Sequence, residues 1–253
     1  SAESTVEKAL IQLPCWERVY SISKLNGSGN LEISRQAGVY TVDENKSLFI
    51  ISGVDDDSSK WFTGTISLTN GDSGDDGSKY FRLVLNHQNA AAKALISLDN
   101  AATKLRLGVA DVTIAGLRSA KAGAMLEKSA SLTSPSNLTI NYSGSDALTF
   151  SGKVTGGVNV IKTGTGTQIL NGDLTAFNGT FTAKEGQLTV TGKTTVAGAE
   201  EGTTLPVVGS GTRFNLDGGK LSFPSLIAGS TLMTTSASNG SLTGTLSLDG
   251  GSI

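Results

Sequence analysis

The sequence predicts an all-β protein built as a solenoid of short repeats, and three observations carry that reading. Apolar residues alternate with polar ones in runs too short for amphipathic helices, as in FRLVLN from Phe81 to Asn86. Glycine fills 32 of 253 positions without a strict three-residue period, so turns are frequent and collagen is excluded. Two small-residue signatures recur along the chain, as stacked coils with tight corners require.

The first region, residues 1–24, differs in character from the rest. Ser4 to Glu7 has the form of a capping box, and Pro14 ends whatever follows, so Thr5 to Leu13 reads as a short helix or, failing that, an irregular first strand. With the bulky LPCWERVY after it, this segment is expected to cap one end of the fold.

The second region, residues 25–132, turns to period two. Phe81, Leu83 and Leu85 fall on one face, followed by Ile96 and Leu98, Leu105 and Leu107, and Val112 and Ile114. The stretch from Gly116 to Leu132 has some helical character, but its glycines and missing caps make it a loop or broken strand. The third region, residues 133–253, continues with GVNVIK, GTFTAK, QLTVTG, TRFNLD, KLSFPS and GTLSLD. Strands recurring about 7–12 residues apart, separated by NG, DNAA, DGG or GTG turns, suit a solenoid; an elongated antiparallel β-sandwich is the alternative.

The first recurrent signature is Phe or Leu, any residue, Gly, Thr, an apolar residue, then Ser or Thr. It begins at Phe62, Phe177 and Leu242. The second, Gly, Ser or Thr, Gly, then Asn or Thr, begins at Gly27, Gly164 and Gly209. Residues Asn159 to Gly192 gather both. Their Lys162, Gly164, Gly166, Thr167, Leu170, Gly172, Phe177, Gly179, Thr180, Gly186 and Leu188 resemble the passenger-associated repeat of bacterial autotransporters.

That resemblance is strong over these thirty-odd residues and partial at Lys24 to Ile33, Phe62 to Gly71 and Ala91 to Leu117. It implies a right-handed parallel β-helix, secreted or displayed on a bacterial cell surface. It implies no chemistry of its own. The family pattern continues into a membrane β-barrel that is absent from this sequence, so membrane contact is expected only through such a barrel.

Composition narrows function further. Net charge is −2 and charged residues make up 17%, leaving no basic footprint for nucleic acid. The single Cys15 cannot form an internal disulfide and reads as an inert buried thiol, and the single His87 sits in a turn-like NHQN stretch.

The acidic positions cluster at Asp55-Asp56-Asp57 and in NGDSGDDGSK, which holds Asp72, Asp75 and Asp76. Asp and Gly are ordinary turn residues, so a solvated turn is the first reading. A calcium loop at Asp72, Asp75 and Asp76 is the second, since calcium takes six to eight oxygens. The third is catalytic: Asp72-Ser73-Gly74 has the form of an aspartic-peptidase turn, with Asp56 as a second acidic candidate, but no second such turn exists.

A glycosidase would draw its carboxylates from Asp55, Asp72, Asp99 and Asp111. Trp61 and Tyr80, with Trp16, are candidates for stacking on sugars. The expectation is therefore a monomeric scaffold or adhesin, without cofactor, contacting host glycans or glycoproteins. The alternative is a secreted Asp-dependent hydrolase, protease or glycosidase, of glycoproteins such as mucin.

Overall fold

The computed structural model describes residues 8–14, 18–37, 46–70 and 80–191, together with the backbone of 213–223, 231–233 and 243–248. Among these residues the chain is all-β, with 20 strands, one short 3-10 turn at Ser58–Lys60 and no α-helix.

The first coils each lay down two strands. β1 (Lys8–Leu13) and β2 (Val19–Ile22) are followed by β3 (Ser28–Arg35) and β4 (Leu48–Ile51), then β5 (Thr63–Asn70) and β6 (Phe81–Leu85). β7 (Ala91–Leu98) and β8 (Thr103–Leu107) continue the pattern, as do β9 (Asp111–Arg118) and β10 (Met125–Lys128). A third strand then joins the coil: β11 (Ser136–Asn141), β12 (Leu148–Phe150) and β13 (Lys153–Val154). β14 (Val158–Thr163), β15 (Thr167–Leu170), β16 (Thr180–Ala183) and β17 (Gln187–Val190) follow, then β18 (Arg213–Phe223), β19 (Thr231–Met233) and β20 (Thr243–Leu248).

Every strand pairing is parallel, and the coils stack into three sheets. The first runs β1-β3-β5-β7-β9-β11-β14-β16-β18, with β19 beyond, and the second runs β2-β4-β6-β8-β10-β13. The third runs β12-β15-β17-β18-β20; β18 serves two sheets by bending between Asp217 and Lys220, where its pairing with β20 shifts register. This is a parallel β-helix, and it overturns the antiparallel sandwich. A sandwich needs hairpin-paired neighbours, whereas here each strand pairs with its counterpart one coil away.

The helical reading of the first segment is corrected as well. Lys8–Leu13 is a strand in register with Asn30 to Arg35. The parallel ladder offered by β3 outweighs the capping signal, because a short helix has little stability of its own. Ser4 to Glu7, Cys15 and Trp16 lie outside the described residues.

One continuous apolar core fills the helix. In the second sheet Phe49, Leu83, Leu105, Leu126 and Val154 form an inward column of successive register partners. In the first sheet Val112, Leu138, Val160 and Phe181 do the same. Each fully buried aliphatic side chain contributes about 1.5–3 kcal/mol, and no coil could bury its inner face alone. The stretch from Gly116 to Leu132, expected as a loop or broken strand, holds the end of β9 and all of β10 with turns between and after them.

Polar residues complete the coil where the columns would otherwise fail. Gln168 occupies an inward position between Leu148 and Leu188. Its Nε2 donates to the Leu117 and Leu148 carbonyls at 2.8 and 3.1 Å, and its Oε1 accepts from the Leu117 amide at 3.3 Å. These bonds satisfy backbone groups where the third sheet separates from the end of β9. On the outer face of the first sheet, Asp111 accepts from Asn137, Asn137 accepts from Asn159, and Asn159 accepts from the Thr180 amide. This polar ladder ties four coils together.

Candidate functional site: a cleft where the third sheet begins

The sheet split also opens a cleft. The outward residues of β7, Leu95 and Ser97, alternate with the inward Ala94, Ile96 and Leu98. One coil on, Ser97 is the register partner of Arg118 at the end of β9. Past β11 the chain swings outward through residues 142–147 before returning as β12. The space between this loop and the β7–β9 face has a volume of about 610 Å³.

Its floor is apolar and its rim polar. The absent side chain of Gly116 leaves room that Leu148, Tyr142 and Leu95 fill, at 2.5, 3.4 and 3.6 Å from where a β-carbon would stand. Tyr142 is fixed at its far end by donating its hydroxyl to the Asp146 carbonyl at 2.7 Å. Its own carbonyl accepts from the buried Lys162 ammonium at 3.0 Å. The repeat lysine thus anchors one wall of the cleft from the inside.

On the opposite side, Ser97 connects two charged groups. Its Oγ donates to Asp99 Oδ1 at 2.5 Å and accepts from Arg118 Nε at 3.0 Å. Asp99 is itself held by its amide bond to the Leu68 carbonyl. Ser119, Thr149, Ser151 and Asp146 complete the polar lining. The arrangement presents carboxylate and guanidinium groups side by side above an apolar floor.

Apart from Asp99, the candidates read from sequence that the structure describes lie elsewhere. Asp72, Asp75 and Asp76 fall outside the described residues. Asp56 is exposed in the loop after β4 and does not line the cleft. Its neighbours organise that loop instead. The Asp57 amide and the Asn26 side chain bond the Asp55 carboxylate and hold it below the usual carboxylate range. Ser59 does the same for Asp57.

Trp61 belongs to this loop. Its indole N–H donates to the Asp55 carbonyl at 2.7 Å, and Lys93 lies 5.7 Å from its ring centroid. Tyr80 precedes β6 on a different sheet, with the Lys104 ammonium 3.9 Å from its ring centroid. The structure therefore does not gather Asp56, Trp61 and Tyr80 into one site. Of the three glycosidase carboxylates among the described residues, Asp55, Asp99 and Asp111, Asp99 alone lines the cleft, while Asp111 is committed to the Asn137 ladder.

A second polar cluster lies on the outer face of the second sheet. Arg82, Lys104 and Arg106 converge on Glu127 at 3.3, 3.1 and 2.7 Å. Burial works to raise the Glu127 carboxyl, but Lys104 and Arg106, with Arg82, overcome it and hold it below the usual range. Burial pushes Lys104 down against the pull of Glu127. The cluster pins β6, β8 and β10 together. Among the described residues no group of three metal-ligating side chains forms.

Sequence reasoning missed Ser97, Arg118, Tyr142 and Asp146. ALISLD does show Ser97 and Asp99 flanking an inward leucine, but only the coil register brings them to Arg118. His87 takes the turn position its sequence suggests, accepting from the Asn89 amide at Nδ1. No family model, curated protein or solved structure matches the chain.

Proposed function

We propose that the chain is a secreted or surface-displayed passenger-type scaffold that contacts host glycans or glycoproteins through the cleft beside Tyr142. The observation that carries this reading is the cleft itself: an apolar floor of Leu95, Tyr142 and Leu148 beneath a rim of Asp99, Ser97 and Arg118. Sugar rings present the same division between an apolar face and a polar edge. The passenger part of the proposal is supported by the work the repeat residues do, since Lys162 and Phe177 are fully buried and Gly172 packs directly on the preceding coil.

A hydrolytic reading has one observation in its favour. Asp99 and Asp146 both line the cleft, and glycoside hydrolysis uses a pair of carboxylates across the scissile bond. One experiment addresses both readings. The purified chain is applied to immobilised mucin, with retained protein and released sugars measured together. Retention without release is the expected result; release abolished by Asp99→Asn or Asp146→Asn would establish the hydrolase, and no retention at all would end the adhesin reading.

A further inference from the structure

We propose that the cleft holds one neutral sugar residue by two adjacent hydroxyls, gripped between Asp99 and Arg118, and discriminates against acidic sugars. The inference rests on the glycan reading above and specifies its ligand. Among the described residues Arg118 is committed only through Nε, which donates to Ser97, so its two terminal amino groups make no hydrogen bond there. Asp99 uses Oδ1 for Ser97, leaving Oδ2 as an acceptor. The Ser97 hydroxyl therefore sets a donor pair beside an acceptor at a fixed spacing.

A hydroxyl is both donor and acceptor, so two vicinal hydroxyls satisfy this pair together: one donates to Asp99 and its neighbour accepts from Arg118. Ser97 is 1% exposed, which fixes the bridge before any ligand arrives. The ring's apolar face would rest on Leu95, Tyr142 and Leu148.

Charge decides between neutral and acidic sugars. Two carboxylates, Asp99 and Asp146, and one guanidinium, Arg118, line the cleft. A uronate or sialic acid carboxylate could pair with Arg118 only by approaching Asp99, which is joined to the same serine. Like charges at that separation disfavour binding, and a neutral ring avoids the conflict.

The test uses the full chain at pH 7 and saturation-transfer NMR with methyl galactoside, methyl glucoside and galacturonate. A neutral glycoside is expected to bind, with galacturonate at least about 5-fold weaker. Asp99→Asn and Arg118→Ala should each weaken neutral-sugar binding by about 10–100-fold, the loss of one hydrogen bond to a charged group. Ala147→Phe, on the exposed rim, should block the cleft without touching the Ser97 bridge. Unchanged melting temperatures establish that the variants fold.

Galacturonate binding equal to or tighter than the neutral sugars would overturn the proposal in favour of an anion site. Neutral binding unaffected by all three variants would move the subsite out of the cleft. No sugar binding, with mucin retention intact, would reject the inference and leave the adhesin reading standing. Sugar binding without mucin retention would do the reverse.

Discussion

Lys162 shows how one residue can serve the core and the surface at once. Its backbone register places it in an inward column between Ile140 and Ala183, where an aliphatic side chain would be expected. The ammonium instead bends to the carbonyls of Tyr142, Thr163 and Gly164 at 3.0, 2.5 and 2.6 Å. Burial pushes its pKa down to about 8 from an ordinary 10.5, against an opposing pull from Glu185. Between those values the unfolded chain holds a proton that the folded chain has released, so stability rises with pH through that window and is flat below it. Urea unfolding at pH 7 and pH 10 should show a gain of up to about 3 kcal/mol, set by the size of the shift. Lys162→Met should remove that pH-dependent gain; a variant that kept it would place its origin in another group.

At the scale of elements, the glycines of the repeat act where one coil touches the next. A β-carbon on Gly172 would stand 1.7 Å from the Gly152 carbonyl oxygen, a backbone atom that cannot swing aside. Gly186 combines a φ of +64° with a β-carbon position 2.3 Å from the Gly164 oxygen. Coil corners made of such residues let β15 and β17 approach at hydrogen-bonding distance. Gly172→Ala is therefore expected to destabilise the fold by about 1–3 kcal/mol or more through overpacking, measured by chemical unfolding. A neutral result would mean that the corner can open without loss to the sheets. The stacked rings of Phe177 and Phe181, with centroids 4.1 Å apart, fill the space beneath the corner between Leu174 and β16.

Across the whole molecule, contacts pass from each coil to the next, so stability should be graded along the axis rather than uniform. Coils from β6 to β11 have neighbours on both sides and hold many of the fully buried side chains, including Phe81, Leu83, Ile96 and Leu105. The outer strands differ: Leu10 in β1 is 57% exposed and Val19 in β2 is 51% exposed. Amide exchange should be slowest in the central coils and faster toward β1. Leu105→Ala should cost about 2–5 kcal/mol and lower protection first in β6 and β10, its sheet neighbours. Equal loss of protection throughout the chain would indicate a single cooperative unit instead.

The sequence by itself determined the strand class and much of the coil chemistry. Period-two alternation identified FRLVLN, DVTIAG and QLTVTG as strands, because side-chain alternation is a local property of extended backbone. The recurring glycines marked tight corners for the same local reason. Even so, the second signature does not mark one fixed place in a coil: the turn at Gly27 leads into β3 of the first sheet, and that at Gly164 leads into β15 of the third.

Tertiary structure decided what depends on register. Parallel stacking, the extra sheet that begins at β12, and the strand at Lys8–Leu13 all follow from which coil lies beside which. The cleft belongs to this second group. Ser97, Asp99, Arg118, Tyr142 and Asp146 are scattered over three coils, and only the offset between β7 and β9 and the outward swing before β12 bring them together. Local patterning fixes which face each residue points to; only long-range pairing fixes what it meets there.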